Sequence, residues 1–304
     1  MVEAAILAPP PALAPPVSAP PLPVRHRLVL CADDFGLTEG VSRGILELLA
    51  QGRLSAVGAM VNMPAWPHLA AALRAARGPA AIGLHLNLTT GRPLGAMPHL
   101  APGGTLPALG PLLARLLAGG APVQADIAAE IDRQLDAFQA AFGAPPEFVD
   151  GHQHVHVLPG VRGALLRCLL ARRAPGAALP WLRDPADALG AILRRRFCTD
   201  KALVVVTLAR GFRQAASAAG FHTNQGFSGF SPLLPDTSAP LVMQRALLRP
   251  GPRPLVMCHP GHADAALRAI DPAVESRPAE LAYLASAAFG HLLERERIAL
   301  VPRP

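Results

Sequence analysis

The chain has 304 residues, 51% of them hydrophobic, enough to bury a full core in one large domain. Its net charge is +7 with a pI near 10.4, the balance of a protein drawn to anions, but the densest basic runs, Arg172-Arg173 and Arg194-Arg195-Arg196, lack the interleaved aromatic rings that stack on bases, so no nucleic-acid partner is expected. No run reaches the roughly 18 to 20 uninterrupted apolar residues of a membrane span, and four cysteines without CxxC spacing form neither a zinc ribbon nor a disulfide framework, so reduced thiols and a cytoplasmic location are expected.

Residues 1–25 are a Pro/Ala-rich tail, expected to be disordered because they cannot bury enough surface to offset their ordering entropy. Prolines interrupt every apolar run in it and no basic stretch opens it, against a signal peptide. Residues 26–304 are read as a single domain. Arg27-Leu28-Val29-Leu30-Cys31-Ala32 has the look of a buried parallel strand, ending in Asp33-Asp34-Phe35-Gly36. Thr38 can cap a helix through Gly44 to Leu49. A second apolar run covers Ala56 to Val61, a helix is predicted over His68 to Arg77, and a third run, Ala80 to Leu84, ends at His85. Residues 91–123, rich in Gly and Pro, read as an elaborated loop near a site. Ile127, Ile131, Leu135, Phe138 and Phe142 recur at helical spacing within Asp126 to Phe142. Strands are predicted at Glu147-Phe148-Val149, at Ala202 to Leu208 and at Pro254 to Cys258, then a helix over Pro278 to Glu296 and a last strand, Ile298 to Val301.

Short apolar strands alternating with amphipathic helices indicate a parallel α/β architecture. Asp33-Asp34, His85, His152 and His259 each follow an apolar strand directly, and in a barrel such ends converge on one rim. An open doubly wound sheet would gather only those near its switch point, so a barrel is preferred. A hydrolytic metal site wants three protein ligands and an open position, and Asp34, His85 and His152 supply that set. Asp33 is assigned as general base, against the alternative that one of the two aspartates merely caps the following helix. In His152-Gln153-His154-Val155-His156 an extended backbone would place all three imidazoles on one face, making His154 and His156 second neighbours of the ion or sugar contacts. Asp150 is placed to orient an imidazole. His259, with no paired acid near it in sequence, is the proposed general acid, provided a neighbour holds its pKa up; His262 is its rival.

The segments Ala32-Asp33-Asp34-Phe35-Gly36, Gly83-Leu84-His85-Leu86-Asn87-Leu88-Thr89, Asp150-Gly151-His152-Gln153-His154-Val155-His156 and Cys258-His259-Pro260-Gly261 resemble the YdjC-type carbohydrate deacetylases, which include chitooligosaccharide deacetylase, in order and approximate spacing. The resemblance covers roughly residues 27–300. It implies an irregular TIM-like (β/α) barrel related to polysaccharide deacetylases, an ion held by the second Asp and two His, a base at Asp33, and loss of acetate from an N-acetylglucosamine unit. Thr223 to Gly229 and Arg277 to Leu281 are less specifically similar; Phe227 and Arg277 are the residues there assigned to the sugar pocket, with Phe227 as a stacking platform or an ordinary core anchor.

The function expected is therefore metal-dependent removal of acetyl groups from a small N-acetylated carbohydrate by water activated at one divalent ion. Two His and a carboxylate suit zinc, and the same set with several waters holds magnesium, manganese or cobalt; the resemblance tilts the choice to magnesium or zinc. Some relatives are associated with hopanoid lipids, so a glycolipid-linked sugar remains an alternative. Others are a metal phosphoesterase, which would need more carboxylates at the strand ends, and a sugar-binding barrel without catalysis, which would need neither Asp33 nor His259. Relatives often pair through barrel helices, so a homodimer is compatible with the resemblance.

Overall fold

Eight strands carry the core of the computed structural model, which describes residues 23–304: β1 (His26–Phe35), β2 (Ala56–Ala59), β3 (Ala81–Leu86), β4 (Phe148–Gly151), β5 (Trp181–Leu182), β6 (Phe227–Ser228), β7 (Leu255–Cys258) and β8 (Ile298–Leu300). The tail expected to be disordered lies outside the described residues, apart from exposed Pro23, Val24 and Arg25. Every ladder between the strands is parallel, in the order β5-β4-β3-β2-β1-β7-β6, with β8 paired to the start of β1. Helices run between successive strands, as parallel pairing requires.

The two edges of this curled sheet meet through an irregular segment rather than a full strand. Leu182 on β5 bridges to Thr223, and Gln225 forms an antiparallel bridge with Arg253 just before β7. Asn224 fills the gap between them with its side chain: Oδ1 accepts from the Asp184 N–H at 2.7 Å, and Nδ2 donates to the Asp184 and Gly226 carbonyls at 2.8 and 3.0 Å. The result is an irregular α/β barrel closed by a side-chain staple.

The period-2 alternation of each strand decides what the barrel encloses. Val29 and Cys31 on β1, Ala56 on β2, Ala81 on β3, Phe148 on β4, Trp181 on β5, Phe227 on β6 and Leu255 and Met257 on β7 form one apolar cluster inside the wall. Leu28, Leu30 and Ala32, of opposite parity, pack outward with the helices. Small residues on β2 and β3 make room for large ones on β4 and β5: a Cβ on Gly83 would sit 2.5 Å from the Phe148 ring, which stacks on Trp181 with centroids 4.3 Å apart. The next interior positions beyond this floor are Asp33, Asp150, Arg183 and His259, and His85 lies two interior positions beyond Ala81.

Several expected elements form as anticipated. Thr38 caps the helix Glu39–Ala50 by accepting from the Val41 N–H, so neither Asp33 nor Asp34 is spent as a cap. The helices Trp66–Ala76 and Gly120–Phe142 cover their expected spans, the second starting earlier. Three expectations are corrected. Ala202 to Leu208 lies in a helix, Thr199–Leu208, in which Ala202 alone is buried; the place beside β5 and β7 that a strand could fill is occupied by residues 223–228. Asp200 in its first turn favours the helix. The 91–123 stretch is not all loop, since it contains the helix Leu109–Ala118. The last helix is two, Ser276–Ala285 and Ala287–Arg295, because Ser286 turns extended and caps the second by accepting from the Phe289 N–H.

Candidate active site

Asp34, His85 and His152 come together at the C-terminal rim of the barrel. Adjacent strand residues should face opposite ways, but Asp34 has a φ of +69°, and this left-handed residue, at an irregularity in the β1–β2 register, swings its carboxylate back over the rim beside Asp33. His152 Nδ1 lies 3.0 Å and His85 Nε2 3.4 Å from Asp34 Oδ1. The other oxygen of Asp34 accepts from Arg277 Nη2 at 2.7 Å, which leaves Oδ1 to the two rings. Gly58 lies under this arrangement; a Cβ there would sit 3.1 Å from His85 Nδ1.

Beneath the rim Arg183 organises the acids. Its Nη1 and Nη2 grip Asp33 Oδ2 and Oδ1 at 2.7 and 2.5 Å, and Nη2 lies 2.5 Å from Asp150 Oδ2. The remaining Asp150 oxygen accepts from His85 Nδ1 at 2.7 Å, which fixes that ring and leaves Nε2 aimed at Asp34 Oδ1. Burial alone would raise the Asp33 carboxyl, but the Arg183 guanidinium outweighs it and holds Asp33 far below the usual carboxylate range. Burial likewise opposes charge on His85, yet Asp150 and Asp33 push that imidazole up to about 10. The cluster calls for positive charge at the His85 position, which a divalent ion would supply. Donor types, spacing and the fixed orientation of the His85 ring all fit such an ion, which would displace the proton of His85 Nε2 and be held by Asp34, His85 and His152.

His259 approaches from β7, with Nε2 4.0 Å from Asp33 Oδ2. Its backbone N–H donates to Glu280 Oε2 at 3.1 Å, so an acid that sequence proximity did not reveal does stand behind it. Burial pushes the His259 imidazole below its ordinary value despite Asp34 and Asp33, so the expectation of a ring held charged by a neighbour is not met. Burial also raises Glu280 to about 7. The rival, His262, is half exposed and pairs with Glu47 at 2.8 Å, away from the rim.

The substrate-facing expectations change most. Residues 152–157 form a tight turn in which Gln153 and His154 adopt left-handed φ values of 52° and 59°, so the three imidazoles do not share a face. His154 lies against Phe227 and Phe230, edge-on to both. His156 is fully buried; its Nε2 donates to the Arg183 carbonyl at 2.8 Å, and burial lowers its pKa to about 4, so it anchors Arg183 as a neutral ring. Phe227 is an interior residue of the barrel, not an open platform. Arg277 is buried between Asp34 and Asp271, where it holds the two carboxylates rather than facing a sugar. Arg183 was missed because β5 is two residues long, too short for its strand-end charge to register as one. A cavity of about 1420 Å³, bordered by His26, Val206, Arg210 and Arg249, contains none of these groups and opens beside the starts of β1 and β8.

The model of the YdjC-like protein family matches residues 27–295. A mouse carbohydrate deacetylase is 37% identical over 186 residues, 56% of this chain and 59% of its own length. A Serratia marcescens chitooligosaccharide deacetylase is 41% identical over 134 residues, 44% of this chain and 52% of its own. The chain thus spans little more than half the length of the curated relatives it matches. A solved Enterococcus faecalis V583 protein, linked by name to cellobiose-phosphate cleavage, superposes with a TM-score of 0.66 over 91% of this chain and 97% of its own, at 20% identity, a likeness of fold. With the family motifs gathered at one rim and the match running through nearly all of the barrel, this chain belongs to the YdjC-like family.

Proposed function

We propose that this protein is a metal-dependent hydrolase that removes acetyl groups from N-acetylated sugars, with Asp34, His85 and His152 holding one divalent ion, magnesium or zinc. The observation that carries the reading is the convergence of that ligand set with Asp33 and His259 at a single rim. The names of the curated relatives support a carbohydrate amide as substrate. A bound ion would polarise the acetamide carbonyl and acidify water.

The chain's own residues supply the proton traffic. Asp33, kept ionised by Arg183, is the acceptor for a proton from the attacking water; its weak basicity would require that water to be acidified by the ion. His259, neutral in its buried setting and 4.0 Å from Asp33, takes up that proton and passes it to the leaving nitrogen, which must be protonated to depart as an amine. His154, packed edge-on against Phe230 and two residues beyond His152, is the imidazole left to meet a sugar. No helix among the described residues is long and apolar enough to cross a membrane, and the four thiols are free, in keeping with a reducing cytoplasm.

The test is acetate release from N,N'-diacetylchitobiose by chelator-stripped protein resupplied with magnesium, zinc, manganese or cobalt. Metal-dependent acetate is expected, and His152→Ala should lose both ion and activity. A protein that binds an ion yet releases no acetate from this or any N-acetylated sugar would overturn the reading.

A further inference from the structure

Inside the barrel lies a second set of potential cation donors. Cys31, Asp33 and Asp150 are all buried, and their Sγ and carboxylate oxygens lie within 4.8 Å of one another. The set abuts the first: Asp33 precedes the ligand Asp34, and Asp150 reaches His85 with its other oxygen. Carboxylates shared between neighbouring cation positions are the groundwork of two-metal centres. Here, however, Arg183 Nη2 occupies the middle, 3.0 Å from Cys31 Sγ and 2.5 Å from both Asp33 Oδ1 and Asp150 Oδ2.

We propose that the Arg183 guanidinium is a tethered substitute for a second metal ion, limiting the barrel to one ion, and that its removal uncovers a thiolate-containing cation site. The inference rests on the reading of Asp34, His85 and His152 as the resident ion's ligands. A guanidinium is always charged, cannot be chelated away, and is fixed from behind by His156 through the Arg183 carbonyl. It neutralises the buried acids while offering no open coordination position, so in-line cleavage between two ions is denied to this rim and one-ion acyl transfer is retained. The uncovered site, with one sulfur and two oxygens, would favour a borderline ion such as zinc or cobalt over magnesium.

The test counts tightly bound metal in wild type, Arg183→Met and Arg183→Lys after stripping and equilibration with zinc or cobalt, with folding followed by circular dichroism. One ion per chain is expected for wild type and for Arg183→Lys, and two for Arg183→Met. The cobalt form of Arg183→Met should show a thiolate-to-cobalt charge-transfer band that disappears when Cys31→Ser is added, and its melting temperature should rise with zinc concentration. Two ions in wild type, no more ions in folded Arg183→Met than in wild type, or an Arg183→Met chain that stays unfolded in saturating zinc would each overturn the proposal. A wild type that takes no ion, beside an Arg183→Met variant that takes one through Cys31, would sink the active-site reading and with it the one-ion limit, while leaving Arg183 as the cover of a thiolate-containing site.

Discussion

At Asp34 the φ of +69° is a conformation that costs an L residue roughly 1 kcal/mol or more, and it is what lets two adjacent aspartates serve one rim. Asp33 keeps the interior parity and meets Arg183; Asp34 leaves it and meets the imidazoles. Substituting them separates the roles. Asp33→Asn should retain the ion, measured by metal content, while turnover falls by about a hundredfold or more, the usual worth of a general base. Loss of the ion instead would exchange the two assignments. Gly58→Ala places a methyl 3.1 Å from His85 Nδ1 and 3.3 Å from Asp150 Oδ1, crowding the pair that would aim the proposed ligand His85. Its metal affinity, read by titration, should drop by roughly ten- to a hundredfold, as for other losses of support behind a ligand.

Among the elements, the helix Ser276–Ala285 presents Arg277 to Asp34 and Glu280 to His259 from one face, three residues apart. Burial raises the Glu280 carboxyl from 4.5 to about 7, so the folded chain binds a proton there that the unfolded chain has released. That contribution to stability is full below pH 4.5 and is lost as pH climbs through 7, a change of about 3 kcal/mol. Glu280→Gln, which can still accept the His259 N–H, should therefore gain in melting temperature relative to wild type at pH 8 and not at pH 4; parallel pH profiles would refute this. Neither partner of this face was legible as such in the sequence, because helix contacts to a rim are long-range and leave no local pattern. Strands β1, β3, β4 and β7 were legible, each being a short apolar run ending in Asp or His. The pairs Trp181-Leu182 and Phe227-Ser228 are too short to show a period, and Val204-Val205-Val206 misled because β-branched residues state a weak preference that the occupied sheet overrides. The turn at His152 was misread for a related reason: alternation holds only while the backbone stays extended, and Gln153 and His154 leave that region.

For the whole molecule, strand-end chemistry specified the architecture well because a parallel barrel delivers every strand's C-terminal end to the same face. What the sequence could not convey is how the wall closes. Between the edge strands β5 and β6 the continuous ladder gives way to two isolated bridges and the three hydrogen bonds of the Asn224 side chain. A closed cylinder distributes strain around its circumference, whereas a cylinder with one stapled seam has a preferred place to part. Local opening should begin there, so amide exchange at residues 222–226 should outpace that of β1 to β4, and Asn224→Ala should accelerate it further without altering exchange on the far wall. Because Asp184, the residue that Asn224 holds, directly follows Arg183, such breathing would momentarily loosen the cation that sets the charge of the rim, linking the slow mechanics of the wall to the electrostatics at its centre.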